Sequence, residues 1–215
     1  MAATEFANVH LLDHPLIRHK MSELRDRDTS VRDFRALVRE IAMLMTYEAT
    51  RDLPTVSRRI ATPLAETEGT LVVEDDVVVV PILRAGLAMA EGLLALIPGA
   101  RVGHIGVYRD HATLEVHEYL VRLPPIAAQS FILVDPMLAT ANSTLHAIRV
   151  LVDRGVAIAR IRLMALLAAP EGVSALARAH PTLPIYLAAL DQGLNAQGYI
   201  VPGLGDAGDR LFGTT

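Results

Sequence analysis

The sequence predicts an α/β fold in which a mostly parallel sheet carries helices on both faces. Two observations predict it. Apolar runs such as Val77–Ile82 and Phe131–Val134 are continuous rather than alternating, as in strands buried on both sides. These runs also alternate along the chain with helical segments, the order of βα units. The composition is 52% hydrophobic and only 4% aromatic, so the core is aliphatic. Composition by itself leans toward stacked helices; the order of the runs argues for the sheet.

The elements follow in turn. Ser30 and Asp33 have capping-box spacing, and Phe34, Leu37, Val38, Ile41, Leu44 and Met45 recur at helical intervals. This N-terminal helical segment places Arg32, Arg35, Arg39 and Glu40 on its other face, so it packs on the body or on a second subunit. The strand Val77–Ile82 leads through Arg84-Ala85-Gly86 into a helix that Pro98-Gly99 ends near Ile97. His104–Tyr108 and Phe131–Val134 are the next strands, and Ser143–Arg154 is a helix with Gly155 at C′. Ile158–Leu167, Glu171–His180 and Ile185–Leu190 read as strand, helix and strand. Residues 1–215 are expected to form a single domain. The stretch 109–130 is longer than the ~12–15 residues of an ordinary connection. Within it, 113–123 has the alternation of a β-hairpin arm, either a flap over a site or an oligomerisation arm.

Several function classes are disfavoured. There is no cysteine, hence neither a disulfide nor a thiolate metal site. The net charge of −4, with Lys and Arg dispersed, argues against a nucleic-acid surface. Apolar runs fall short of the ~20 residues of a membrane span. Glu5, Asn8, His10 and Asp13 do not form a basic-then-apolar leader, so the expected compartment is the cytoplasm. The eight histidines contain no HExxH pair. His14, His19, His111, His117 and His146 read as surface or structural residues, and no metal held directly by protein ligands is expected.

Ligands of parallel sheets bind beyond the carboxyl ends of strands, which singles out the loops after Leu83, Tyr108, Val134 and Leu190. The most informative is residues 131–144. An apolar strand delivers Asp135, small and hydroxylated residues from Ala139 to Thr144 follow, and a helix starts at once. Small side chains let N–H groups approach a phosphate, the helix start supplies free donors, and Asp135 suits paired ribose hydroxyls. The alternative is that Ser143 or Thr144 caps the helix and Asp135 closes a turn. The segment has no Gly-Lys-Ser/Thr and no GxGxxG, so it is neither a Walker loop nor a dinucleotide fingerprint. Arg84 and Arg109, each at a strand end, are pyrophosphate clamps or surface ion-pair partners. The glycine-rich 199–210 loop either reads a flat base with its main chain or is a flexible tail.

Asp135-Pro136-Met137-Leu138-Ala139-Thr140 resembles the phosphoribosyl diphosphate (PRPP) motif of the uracil phosphoribosyltransferases. Pro81–Leu87 is similar to that family's pyrophosphate loop, and Gly198–Arg210 to its base loop. The resemblance runs from about His14 to Thr214. It implies a type I phosphoribosyltransferase-like fold and transfer of phosphoribosyl from PRPP to uracil, giving UMP. It further implies Mg²⁺ bound mainly through PRPP, a homodimer or higher homo-oligomer, and GTP as an allosteric effector. Carried over by motif, PRPP would be bound by Arg84, Arg109, Asp135, Pro136, Met137, Leu138, Ala139, Thr140, Ala141, Asn142, Ser143 and Asp206. Uracil would be read by Ile200, Gly205, Asp206 and Ala207, with 109–123 as flap and 198–210 as base loop. No general base is assigned. Ala141-Asn142 stands where the family usually has Gly-Gly, so each Cβ adds dihedral cost or crowds the ligand, though Asn tolerates left-handed dihedrals better than most residues. His111-Ala112 replaces an acidic pair, and His117 stands where Pro often follows. Two alternatives stay open: an RNA-binding regulator on the same fold, and a transferase for another base. Orotate would need a cation in the base loop, for which Arg210 is the nearby residue.

Overall fold

The structure, a computed structural model, describes residues 6–109 and 116–214. The chain opens with a short strand, β1 (Val9–Leu11), then α1 (Pro15–Arg25) and α2 (Val31–Ala49). The two helices start by different means. In α1 the His14 ring accepts from Leu16 N–H and Pro15 fills the first turn; in α2 Ser30 caps Asp33 N–H, as its sequence spacing predicts. A two-stranded arm follows, β2 (Thr55–Ala61) and β3 (Glu66–Val72), paired antiparallel and exposed along almost its whole length. The remaining elements are β4 (Val77–Leu83), α3 (Gly86–Leu96), β5 (Arg101–Val102), β6 (His104–Arg109), β7 (Val116–Arg122), β8 (Ser130–Val134) and β9 (Met137–Leu138). Then come α4 (Asn142–Asp153), β10 (Ile161–Ala168), α5 (Pro170–Ala179), β11 (Ile185–Leu190), β12 (Gly193–Leu194), β13 (Ile200–Val201) and α6 (Ala207–Phe212).

The central sheet has the order β1-β11-β10-β8-β4-β6-β7, with β5 on β4 and β9 on β10. All its pairings are parallel except β6 with β7. Its strands alternate sides at every residue. Val77, Val79, Ile132, Val134 and Met164 pack with α1, α2, α3 and α6. Val78, Val80, Phe131, Leu133 and Leu163 pack with α4 and α5. Two-sided burial explains the unbroken apolar runs and overrides the helical lean of the composition.

The chain leaves β4 toward β6 on one side and leaves β8 toward β10 on the other. Since β4 and β8 are neighbours, the crevice at their carboxyl ends is the topological switch point, where open α/β sheets bind ligands. Within the 113–123 stretch, β7 pairs antiparallel with β6 and extends the sheet edge, while residues 113–115 lie outside the described residues. A second hairpin, β2–β3, forms an exposed arm. No helix among the described residues is long and apolar enough to cross a membrane.

Candidate active site

The loops after β4 and β8 meet at the switch point. Gly86 sits where a Cβ would lie 2.6 Å from the Val134 carbonyl oxygen, so the Arg84–Gly86 loop crosses directly over the end of β8. Arg84 is exposed beyond the cis Leu83–Arg84 peptide, its guanidinium 5.3 Å from the centroid of the Phe212 ring. Arg109 closes β6, and its side chain lies outside the described residues, as do His111 and Ala112.

Asp135 leaves β8 half-buried. Its Oδ1 accepts from the Met137 N–H at 3.3 Å, and burial pushes the carboxyl up to about 7 against that single lowering contact. The main chains of Pro136 and Leu138 anchor the loop. Their carbonyls accept from Leu167 and Ala169 N–H at 3.0 Å each, and the Leu138 side chain is buried in the core. This anchorage to β10 and α5 presents the following turn, Ala139 to Asn142, to the crevice.

Helix α4 begins without a side-chain cap: its N-cap is Ala141, so Ser143 and Thr144 do not serve as caps. Helices α3 and α5, which also start at the carboxyl edge of the sheet, likewise lack side-chain caps, whereas α1, α2 and α6 have them. First-turn N–H groups of α4 are therefore available to an anion, which the helix dipole favours. The left-handed conformation falls on Ala141 (φ 67°, ψ 0°) rather than on Asn142, which opens the helix. The Ala141 methyl belongs to the core beneath α4, so at this position the departure from Gly costs dihedral energy rather than ligand space.

A cavity of about 160 Å³ joins this loop to the carboxyl-terminal segment. Met137 and Ala139 line it from one side; Gly198, Tyr199, Ile200, Gly205, Asp206 and Ala207 line it from the other. Ile200, Gly205, Asp206 and Ala207 are brought together around this cavity, and Met137 and Ala139 face it from the loop after β8. Asp206 also caps α6: its Oδ1 accepts from the Asp209 N–H, 2.9 Å away.

Two residues went unassigned in the sequence reading. Tyr199 lines the cavity although it is half-exposed. Gly172 on α5 underlies the cradle: a Cβ there would sit 2.4 Å from the Ala139 carbonyl oxygen and 2.7 Å from that of Leu138. Close packing of this kind leaves no periodic signal in a sequence.

Arg210 is committed elsewhere. It donates to the carbonyls of Leu24 and Leu204 at 2.9 Å each and to that of Asp26, and stacks over Phe34 at 4.4 Å. Among the described residues no group of three or more His, Cys, Asp or Glu gathers as a metal site.

The switch-point crevice, the uncapped cradle after β8 and the arginine loop after β4 define a nucleotide-forming transferase of the type I phosphoribosyltransferase class. The fold agrees with solved members of that class. An orotate phosphoribosyltransferase from Mycobacterium tuberculosis, in complex with PRPP, superposes with a TM-score of 0.50 at 16% identity, over 84% of this chain and 95% of that one. The AQ2163 protein from Aquifex aeolicus superposes with a TM-score of 0.91 at 36% identity, over 96% and 99%. The profile of the uracil phosphoribosyltransferase family matches residues 11–214. Uracil phosphoribosyltransferases from Rhodospirillum centenum and Paraburkholderia phymatum are 59% and 57% identical, each over 98% of this chain and 97% of the relative. The chain belongs to the uracil phosphoribosyltransferase family.

Proposed function

We propose that this protein transfers the phosphoribosyl group of PRPP to N1 of uracil, forming UMP and pyrophosphate. The observation that carries the reading is the shared cavity, where the turn after Asp135 faces the main chain of Ile200, Gly205 and Ala207. A ribose phosphate seated on the α4 N-terminus would hold its anomeric carbon toward that cavity. Uracil offers alternating acceptors and donors at O2, N3 and O4, which main-chain groups can match. Cytosine, with a donor at position 4 and no N3 proton, would leave buried groups mispaired.

In this reading Asp135 orients the ribose hydroxyls, and the α4 N–H groups with Thr140 and Ser143 hold the 5′-phosphate. Arg84 and Arg109 clamp the departing pyrophosphate, and catalysis is chiefly positional and electrostatic. PRPP oxygens and water would form the hard-oxygen donor set that suits Mg²⁺, which when bound would add positive charge beside the pyrophosphate.

We also take the protein to be a homo-oligomer. Leu64 at the tip of the β2–β3 arm is 96% exposed, and a two-stranded arm has little stability alone. A groove of about 770 Å³ beside α1 and α2, lined by Leu12, Leu16, Ile17, Met43, Leu44 and Leu96, offers an apolar face for a second copy. GTP activation and a cytoplasmic compartment belong to the same reading, by family resemblance. The orotate alternative weakens because Arg210 is spent on carbonyls.

The test is a product assay with PRPP, Mg²⁺ and a panel of uracil, cytosine, orotate and hypoxanthine, with and without GTP. UMP formation from uracil alone is expected. Turnover of another base in preference to uracil would displace the reading.

A further inference from the structure

We infer that Arg25 and Asp191, both outside the cavity, are positioning residues that hold the base-reading loop through the peptide groups of Gly203. Asp191 follows β11, and its own N–H is fixed by the Ala168 carbonyl at 2.9 Å. Arg25 ends α1 and grips Asp191 with both guanidinium tips, at 2.6 and 2.7 Å. The Asp191 side chain is 5% exposed, which sets this fork apart from the exposed pairs elsewhere on the protein.

Both partners then turn to the same residue. Asp191 Oδ2 accepts from the Gly203 N–H at 2.8 Å, and Arg25 Nη1 donates to the Gly203 carbonyl at 2.9 Å. Gly203 has φ of 69°, and a Cβ there would meet the Ile200 carbonyl oxygen at 2.1 Å, so only glycine fits the clasp. The clasped residue lies between Ile200 and Gly205, both of which line the cavity. Main-chain recognition of a base demands that the loop be fixed before the base arrives, because a glycine-rich loop loses most entropy on ordering. The pair therefore acts through Gly203 on base affinity, while the phosphate cradle hangs from β9, β10 and α5 by main-chain bonds in which neither the Arg25 nor the Asp191 side chain takes part.

This inference rests on the proposed transfer to uracil, and its test separates the two. Arg25→Ala, Arg25→Lys and Asp191→Asn would be compared with wild type for the KM of uracil, the KM of PRPP and kcat. Loss of a ground-state positioning contact should raise the uracil KM about tenfold in Arg25→Ala, with the PRPP KM rising severalfold less, since only Asp206 links it to this loop, and kcat within about twofold. Arg25→Lys, a point charge without the fork, should fall between. Equal rises in both KM values, or none, would overturn the clasp. If Arg25→Ala fails to fold, the size-conserving Lys and Asn variants decide. Amide hydrogen exchange supplies a readout free of activity: peptides spanning 200–207 should exchange faster in the variants, those spanning 131–144 unchanged. If wild type made no UMP, the functional reading would fall while exchange still judged the clasp; unchanged exchange at 200–207 would then reject it.

Discussion

Oδ1 of Asp135 accepts from the N–H of Met137, 3.3 Å away, across the buried Pro136 that separates them. One backbone hydrogen bond does not offset burial, and the carboxyl is pushed up from 3.8 to about 7. Between those values the folded chain holds a proton that the unfolded chain has lost, so this group makes stability fall as pH rises from about 4 to about 7. Below 3.8 both states are protonated and the effect vanishes. Asp135→Asn should therefore gain Tm relative to wild type at pH 8 and lose that gain near pH 4. Ribose hydroxyls prefer the carboxylate as acceptor, so PRPP binding near pH 6.5 should release protons. Calorimetry in buffers of different ionisation heat would measure the release, and it should be smaller in Asp135→Asn, where only the phosphates of PRPP, with a second pKa of about 6, can still lose protons. Proton uptake by wild type would contradict the assignment.

Ala141 allows a decision by magnitude. Its left-handed backbone costs roughly 1–2 kcal/mol. Replacement by Gly removes that cost, but loses a buried methyl group of about 0.8 kcal/mol and adds about 0.5–1 kcal/mol of chain entropy. The terms nearly cancel, so Ala141→Gly should leave Tm within about 4 °C and PRPP affinity close to wild type. Ala141→Val, β-branched at positive φ and overpacking the core, should cost about 2 kcal/mol or more. A large gain in PRPP affinity for the Gly variant would show that the methyl crowds the ligand after all.

Gly172 is expected to control the cradle from behind. An added methyl would meet two carbonyl oxygens at 2.4 and 2.7 Å, and backbone cannot swing aside as a flexible side chain can. Alanine gains about 1 kcal/mol of helix propensity, against about 1–3 kcal/mol for overpacking. The net effect on Tm should be a modest fall. The larger effect should be on substrate: displacing Leu138 and Ala139 moves the turn that follows, and the PRPP KM should rise about tenfold or more, by analogy with other displaced binding groups. A Gly172→Ala enzyme with wild-type PRPP KM would show that the cradle tolerates the shift.

Much of this architecture was legible because two-sided burial writes itself into β4, β8 and β10 as unbroken apolar runs. The α2 helix was equally legible from Ser30 and its apolar period. The β2–β3 arm was not, because Val56, Ile60, Leu64 and Leu71 remain largely exposed and no buried face imposes alternation. Strand β1 is three residues long and held by its partner β11, and α1 is capped by a histidine, outside the usual capping residues. In the site, motif order identified the two loops, but the division of labour within them depended on packing. Leu138 and Asp135 are neighbours in one motif, yet one side chain fills the core and the other folds back on the Met137 N–H. Nor could spacing show that Arg25 and Asp191 converge on Gly203, since that contact arises only when α1 and β11 lie side by side.

Arg84 provides the sharpest test of the pyrophosphate loop. Its guanidinium rests over the Phe212 ring at 5.3 Å, a stacking that orients the fork without using its N–H donors. Loss of a charge-assisted contact to pyrophosphate should cost roughly 1.5–3 kcal/mol, so Arg84→Ala should lower kcat/KM at least about tenfold. Because the side chain is exposed, Tm should barely move, within about ±0.5 kcal/mol of stability. Arg84→Lys keeps the charge and loses the planar fork, which places it between wild type and alanine. Phe212→Ala removes only the orienting ring, worth about 0.5–1 kcal/mol at an exposed site, and should cost about two- to fivefold. That ranking, Ala below Lys below the Phe212 variant, follows if the arginine touches the leaving group. Wild-type kinetics in Arg84→Ala would mean that the residue is a surface cation resting on a ring, and the clamp would have to come from elsewhere in the crevice.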